Sequence, residues 1–185
     1  SSTLVSICIP TYNRVASLQE SLKTVINQDY PSLEILISDN CSTDDTERYC
    51  RNLARADSRV RYVRHPRSIG LYGNHNFCLD DSRGELLCFV HDHDSRTSQI
   101  ISRYVSFLTQ YPQAGAVCSD WYLIDKNGEK IGSRRSTAKS ITPGLEYIEQ
   151  CIRSGRSTLA VQGTMFRRSI LGKTRINEHC PVGYA

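Results

Sequence analysis

The stretch that decides how the rest of the chain is interpreted is Gly84-Glu85-Leu86-Leu87-Cys88-Phe89-Val90-His91-Asp92-His93-Asp94. Its five apolar residues, 86–90, are too few for an independent helix and too continuous for a strand with one face in water. They therefore predict a central strand covered on both faces. Ligands of open α/β sheets bind beyond the carboxyl ends of the strands, and Asp92-x-Asp94 offers hard oxygen ligands that suit Mg²⁺ or Mn²⁺. An acidic turn without a function is the alternative.

Strand and helix patterns alternate along the whole chain. The predicted strands cover residues 4–9, 33–37, 60–63, 86–90, 116–119, 121–125 and 160–166. Apolar residues recur at helical spacing in segments 18–26, 49–54, 71–81, 100–108 and 145–152. We expect Pro10 to end the first strand, a capping box of Ser17 and Glu20 to open the first helix, and Asn127-Gly128 to form a hairpin turn. This order predicts an α/β fold with a mostly parallel sheet flanked by helices and a small antiparallel addition in the C-terminal half.

Composition limits the class of protein. A chain of 185 residues with 39% hydrophobic and 23% charged residues is typical of one globular domain. It has no apolar run long enough to span a bilayer, and Ser1 does not open a secretory signal.

The eight cysteines are expected to be reduced, as in a cytoplasmic protein, and zinc held by Cys88, His91 and His93 is disfavoured because no second Cys/His pair has finger spacing. The net charge of +4 indicates an anionic ligand or surface, and no nucleic-acid motif is present.

Three segments resemble one family in the correct order. Residues 5–14, Val5-Ser6-Ile7-Cys8-Ile9-Pro10-Thr11-Tyr12-Asn13-Arg14, resemble the opening strand and loop of family-2 glycosyltransferases with the GT-A fold. Residues 34–46 resemble their second strand with its Asp/Ser-rich loop, and residues 84–94 their glycine-led strand with the D-x-D element. The resemblance implies a single GT-A domain over residues 1–185, with a nucleotide-sugar-binding half at 1–95 and an acceptor half at 96–185.

The resemblance also implies which residues bind the donor, a nucleotide-diphosphate sugar with a UDP-sugar as first choice. Tyr12 would stack on the base, Asp39 would accept a hydrogen bond from the base edge, and Asp92 would approach the ribose or the metal. The alternatives are that Tyr12 packs on the sheet edge and that Asp39 caps a helix. The implied cofactor-binding residues are Pro10, Thr11, Tyr12, Asn13, Asp39, Asn76 and Asp92.

The D-x-D element departs from the family pattern because histidines alternate with the carboxylates. The expected metal ligands are Asp92, His93 and Asp94, and either of the last two can occupy the principal position. An imidazole ligand would favour Mn²⁺ over Mg²⁺.

The general base is a second departure. The acidic element of the family falls at or beyond Ala185, so the catalytic residue is left unassigned, with Glu178 and Asp120 as weaker candidates. An inverting displacement needs a base to deprotonate the acceptor hydroxyl. We therefore expect these 185 residues to bind a nucleotide sugar but to transfer it slowly.

The implied function is metal-dependent, inverting transfer of a sugar to a saccharide or lipid-linked acceptor in polysaccharide, O-antigen or glycolipid assembly. The expected location is cytoplasmic, with peripheral association at the inner membrane face as one option. Trp121 and Tyr122 would offer an aromatic platform for the acceptor, or Trp121 would belong to the core. The basic pair Arg134-Arg135 with Lys139 would bind an acceptor phosphate or an anionic membrane, or remain solvated.

Other function classes stay open or are disfavoured. A catalytically silent nucleotide-sugar-binding domain or a truncated fragment is the main alternative. A receiver-like or phosphatase-like protein would need a lysine after a strand, near a nucleophilic aspartate. A nicotinamide dehydrogenase would need G-x-G-x-x-G after the first strand, which this chain lacks.

Overall fold

A computed structural model describes residues 2–125, 127–134, 141–154 and 163–176. Its strands are β1 (Val5–Thr11), β2 (Leu33–Asp39), β3 (Val60–Arg64), β4 (Leu86–Phe89), β5 (Ala116–Cys118), β6 (Trp121–Ile124), β7 (Lys130–Arg134) and β8 (Thr164–Arg167). Its helices are α1 (Val15–Ile26), α2 (Thr46–Ala56), α3 (Gly70–Asp81), α4 (Ile100–Gln110), α5 (Gly144–Ser154) and α6 (Arg168–Leu171).

The main sheet has six strands in the order β3-β2-β1-β4-β8-β5. Strands β1 to β4 are parallel to one another, and β8 runs antiparallel between β4 and β5. A separate antiparallel pair is formed by β6 and β7, which confirms the predicted hairpin. The mostly parallel sheet with a small antiparallel addition is therefore confirmed. The chain leaves β1 toward β2 and β3 and then returns to β4 on the other side of β1, so the strand order reverses between β1 and β4.

Strand β4 is buried on both faces, as its continuous apolar run predicts. Cys88 belongs to the larger core cluster, which α1 and α4 cover. Phe89 belongs to a second cluster on the opposite face, together with Cys78 of α3. Alternate residues of one strand thus pack against helices on both sides of the sheet.

Strand β1 continues beyond its predicted end. Pro10 pairs with Ser38 of β2, and the strand ends at Thr11. The carbonyl of Cys8 accepts a hydrogen bond from Val90 on the β4 side, so Pro10, two residues later, turns its nitrogen to the same side. Strand β4 ends at Phe89, so Pro10 lies at the end of the ladder on that side, where a residue without an N–H is tolerated.

The start of α1 also differs from the prediction. No side-chain hydrogen bond caps this helix from Ser17, so the predicted capping box is wrong. Asp44 in the β2–α2 loop serves instead: one of its oxygens accepts from the Val15 N–H at 3.0 Å and the other from the Thr46 N–H at 3.0 Å. One carboxylate therefore satisfies the first N–H groups of both α1 and α2.

The C-terminal half is only partly described. Strand β7 ends at Arg134, and residues 135–140 lie outside the described ranges, as do residues 160–162 of the predicted last strand. Helix α5 forms where the spacing predicts it, yet Leu145 and Ile152 of its apolar face are 79% and 76% exposed. Six cysteines have free thiols, namely Cys8, Cys41, Cys50, Cys78, Cys88 and Cys118. None of the described helices combines the length and apolarity needed to cross a bilayer.

Candidate functional site

A cavity of about 410 Å³ lies at the carboxyl ends of β1 and β4, where the strand order reverses. Four segments contribute to it: the β1–α1 loop, the end of β2, helix α3 and the segment after β4. Its lining residues are Pro10, Thr11, Tyr12, Arg14, Asn40, Leu71, Asn74, His75, His91, Asp92 and His93. Four of the seven predicted donor-binding residues are therefore brought together here, namely Pro10, Thr11, Tyr12 and Asp92.

The β1–α1 loop is held in place by hydrogen bonds to the β2–α2 loop. Asn13 has a left-handed backbone with a φ of 51°, a conformation that asparagine tolerates better than most residues. Its N–H donates to the Ser42 hydroxyl at 2.9 Å, and its side-chain oxygen accepts from the Thr43 N–H at 2.7 Å. Tyr12, just before it, is 50% exposed. Asn13 therefore shapes the loop that presents Tyr12 to the cavity.

Asp39 lies at the end of β2 but is fully buried and does not line the cavity. One carboxylate oxygen accepts from the Ser42 N–H at 2.8 Å, and the other accepts from the Tyr62 hydroxyl at 2.6 Å. Burial and the neighbouring carboxylate raise the pKa of Tyr62, so its hydroxyl stays protonated and donates. Its neighbour Asn40 reaches the cavity instead. The role of Asp39 at the base edge stays a prediction, while its contacts fix the β2–α2 loop.

The D-x-D element follows β4 directly. Asp92 is 6% exposed; one oxygen accepts from the Thr11 hydroxyl at 2.8 Å, and the other lies 3.1 Å from Nδ1 of His93. Asp94 has a buried oxygen, Oδ2, with no hydrogen-bond partner, and the nearest guanidinium nitrogen, of Arg96, is 4.0 Å from it. Thr11 therefore orients one carboxylate, while the other keeps an unsatisfied acceptor.

This donor set can be tested for its fit to a divalent cation. Within the described ranges, no cluster of three or more His, Cys, Asp or Glu side chains converges on one point. Mg²⁺ in nucleotide sites usually takes only one or two carboxylates and completes its shell with phosphate oxygens and water. Asp92, which lines the cavity, and the unpaired oxygen of Asp94, which does not, are oxygen donors of the kind that such an ion takes. The assignment of Asp92, His93 and Asp94 as ligands stays a prediction.

Two histidines of the cavity were not predicted as site residues. His75 on α3 donates from Nδ1 to the Leu71 carbonyl at 2.8 Å, which leaves Nε2 as an acceptor. Burial lowers the pKa of His75. It also lowers the pKa of His91, despite the opposing charge of Asp94. Both rings are therefore neutral at neutral pH, and their centroids lie 6.0 Å apart. Arg14, Asn40, Leu71 and Asn74 were missed as well.

Asn76 lies on α3 but faces away from this cavity. Its side-chain nitrogen donates to the Ile176 carbonyl at 2.9 Å, and its oxygen accepts from the Ile176 N–H at 2.8 Å. Arg175 forms an ion pair with Asp80 of the same helix. These contacts hold the segment after α6 against α3. A role for Asn76 in binding the donor stays a prediction.

The acceptor-side residues are placed only in part. The ring of Tyr122 is 58% exposed, and the Lys130 ammonium lies 3.9 Å from its centroid. Trp121 is partly buried, and Asp120 is exposed. The predicted contacts of Arg135 and Lys139, and the base candidates at Glu178 and Ala185, lie outside the described residues.

Comparison with known sequences gives one consistent result. The model of the family described as glycosyl transferase family 2 matches residues 6–175. The chain is 31% identical over 179 residues to the GalNAc(5)-diNAcBac-PP-undecaprenol beta-1,3-glucosyltransferase of Campylobacter jejuni, covering 94% of this chain and 55% of the relative. It is 32% identical over 154 residues to glycosyltransferase AglE of Haloferax volcanii, covering 74% of this chain and 50% of the relative. The chain thus spans about half the length of these curated relatives.

Solved structures show the same fold. TarS 1-349 of S. aureus superposes with a TM-score of 0.72 at 22% identity, over 91% of this chain and 48% of that one. The complex of TarS 1-349 with UDP-GlcNAc gives a TM-score of 0.68. The mannosyltransferase PcManGT of Pyrobaculum calidifontis, solved with GDP-Man and Mn²⁺, gives 0.66 at 19% identity, over 92% of this chain and 46% of that one. The predicted GT-A fold is confirmed.

Proposed function

This chain belongs to glycosyl transferase family 2, and from that premise we propose that it transfers a sugar from a nucleoside-diphosphate donor to a hydroxyl acceptor. The observation that carries the proposal is the buried carboxylate of Asp92, oriented by Thr11 inside a cavity at the strand-order reversal. A UDP-sugar is the first choice of donor. Support comes from the UDP-GlcNAc bound to TarS, while the GDP-Man of PcManGT makes a guanine donor the second choice.

The donor is proposed to lie across residues 1–95, with residues 96–185 serving the acceptor. Pro10 and the half-exposed Tyr12 border the base, because an aromatic face binds a base by stacking. Asp92 then faces the ribose and the diphosphate. Asp39 acts on the donor indirectly, through the β2–α2 loop that it holds.

A divalent cation, Mn²⁺ or Mg²⁺, held by Asp92 together with Asp94 or His93, would neutralise the diphosphate leaving group. The residues around Asp92 suit the binding of this cation. Thr11 fixes one oxygen of Asp92. The neutral rings of His75, which is buried, and of His91, which is partly buried, form an uncharged wall beside it. Transfer is proposed to invert the configuration of the sugar, and the base that deprotonates the acceptor is left unassigned.

The acceptor is proposed to be a saccharide, free or lipid-linked. Support comes from the Campylobacter relative, whose name specifies an undecaprenol-linked substrate. Such an acceptor implies work at a membrane surface, and the free thiols of Cys8, Cys41, Cys50, Cys78, Cys88 and Cys118 fit the reducing cytoplasmic side.

Equilibrium titration and a transfer assay test this proposal. The protein is titrated with UDP, GDP and UDP-sugars, with and without Mn²⁺ or Mg²⁺, and donor turnover is then followed with saccharide acceptors. We expect the cation to tighten UDP binding and Asp92→Asn to abolish that gain. Asp45→Asn, which changes an exposed carboxylate paired with Arg48, is the matched control. Failure of the unmodified protein to bind any of these nucleotides would overturn the proposal.

A catalytically silent nucleotide-sugar-binding domain is the second candidate. One observation favours it. In the described part of the cavity wall Asp92 is the sole carboxylate, so this wall offers no second acidic residue that could deprotonate the acceptor. Tight nucleotide binding with neither transfer nor donor hydrolysis would select this candidate.

A further inference from the structure

Arg14 is the one permanently charged cation among the described residues that line the cavity. It is the last residue before α1, and its side chain is exposed. In the described part of the chain, no carboxylate lies within ion-pair distance of its guanidinium, whereas eight other arginines have such a partner. An arginine that faces a cavity without a carboxylate partner is available to an anionic ligand.

The contact that Arg14 does make is a poor one. Its Nη1 lies 3.3 Å from Nδ1 of His93, and that same nitrogen lies 3.1 Å from an oxygen of Asp92. A guanidinium only donates and a carboxylate only accepts. One imidazole nitrogen carries either a proton or a lone pair, so it cannot satisfy both neighbours. Exchanging His93 for a better acceptor therefore costs the guanidinium little binding energy.

The loop around Arg14 is anchored on both sides. Asn13 is hydrogen-bonded to Ser42 before it, and the N–H of Val15 donates to Asp44 after it. The first free N–H of α1 is thus already occupied, so a phosphate near this helix end would be met by the Arg14 side chain. An exposed side chain on a fixed loop can turn toward a ligand without moving the cavity wall.

We propose that Arg14 binds the diphosphate of the donor, leaving His93 when the nucleotide enters. The inference rests on the proposed function and adds a residue to it. The planar guanidinium can donate two parallel N–H groups to phosphate oxygens, which a point charge cannot do. It lies beside the D-x-D element, where Asp92 alone would repel an incoming anion. Arg14 offsets that repulsion and adds positive charge at the leaving group.

Binding of a ligand series tests this assignment. Uridine, UMP and UDP are titrated into the full chain by NMR and calorimetry, with and without Mn²⁺. We expect Arg14→Ala to weaken UDP binding about 10- to 100-fold, the loss expected for charge-assisted hydrogen bonds, and to change uridine binding less than about twofold. Arg14→Lys should bind UDP more tightly than Arg14→Ala, because lysine keeps the charge but lacks the two parallel N–H donors of the guanidinium. Arg48→Ala, a matched exposed arginine, should change neither.

The outcomes separate the two proposals. If the unmodified protein binds UDP and Arg14→Ala binds it equally well, or if uridine weakens as much as UDP, the role of Arg14 is wrong while the proposed function stands. If the unmodified protein binds neither UDP nor GDP, the proposed function itself fails. Arg14→Gln, which keeps side-chain size and hydrogen bonding without the charge, provides a second variant, and unfolding midpoints check that every variant is folded.

Discussion

Replacing Tyr62 with phenylalanine tests whether Asp39 organises the loops of the cavity. The change removes one hydroxyl that donates to Oδ2 of Asp39 at 2.6 Å, and the carboxylate is 0% exposed. The other oxygen keeps the Ser42 N–H at 2.8 Å. Among the described residues, Oδ2 then keeps the guanidinium of Arg64, whose Nε is 3.9 Å away.

The expected loss follows from these contacts. A hydrogen bond to a charged group contributes about 1.5–3 kcal/mol, and the nearby Arg64 compensates for part of it. We therefore expect the free energy of unfolding to fall by about 1.5–2 kcal/mol. For a domain of this size, each 1 kcal/mol shifts the melting temperature by about 2–4 °C, which gives roughly 3–8 °C.

Urea unfolding monitored by circular dichroism measures this loss, and the denaturant slope should stay unchanged. Tyr111→Phe is the matched control, because that tyrosine is also partly buried and its hydroxyl has no hydrogen-bond partner among the described residues. A loss below about 0.5 kcal/mol in Tyr62→Phe, or one equal to the control, would refute the reasoning.

Three further predictions concern other parts of the fold. An added Cβ at Gly84 would lie 2.5 Å from the Ser6 backbone nitrogen, so Gly84→Ala should cost about 1–3 kcal/mol of unfolding free energy in urea, and an unchanged value would contradict the close approach. Burial alone would raise the pKa of Glu34, but hydrogen bonds led by the one from Ser6 lower it overall. The unfolded state therefore binds more protons, so the free energy of unfolding should fall as pH drops from about 5 through the folded pKa of Glu34. When this free energy is measured against pH, the fall should be smaller for Glu34→Gln than for the unmodified protein. Asn76→Ala should lose the two bonds to Ile176 and about 1–2 kcal/mol of stability with little change in UDP affinity; a large loss of affinity in a stable variant would instead support a direct contact with the donor.

The sequence predicts those features that depend on local patterns. A continuous apolar run gives β4 its two buried faces, and the strand–helix alternation gives the parallel sheet. Because parallel strands end at a common edge, the polar residues at the ends of β1 and β4 could be expected to meet, and Thr11 does contact Asp92. This part of the site follows from strand direction alone.

Features that depend on contacts distant in sequence could not be predicted. Asp44 caps α1 from another loop, and the bond of Asn76 to Ile176 spans 100 residues. A buried carboxylate such as Asp39 has the same local pattern whether it faces a cavity or accepts from Tyr62 of a neighbouring strand. Local spacing carries no information about such partners.

Some missed cavity residues did carry a signal. Arg14 is the last residue of the loop motif, and its charge next to a predicted phosphate site could have indicated a role. His75 lies beside Asn76, and a helix presents neighbouring residues about 100° apart, so choosing which of the two faces the cavity required the position of α3 against the sheet.

The central claim is that the cavity at the ends of β1 and β4 binds a nucleoside diphosphate. A crystal structure of the protein with UDP and Mn²⁺, with the ion located by anomalous scattering, tests it most directly. The account predicts the base beside Tyr12, the diphosphate within reach of Arg14, and the manganese peak at Asp92. Nucleotide density on another surface, or manganese bound away from the segment after β4, would contradict it.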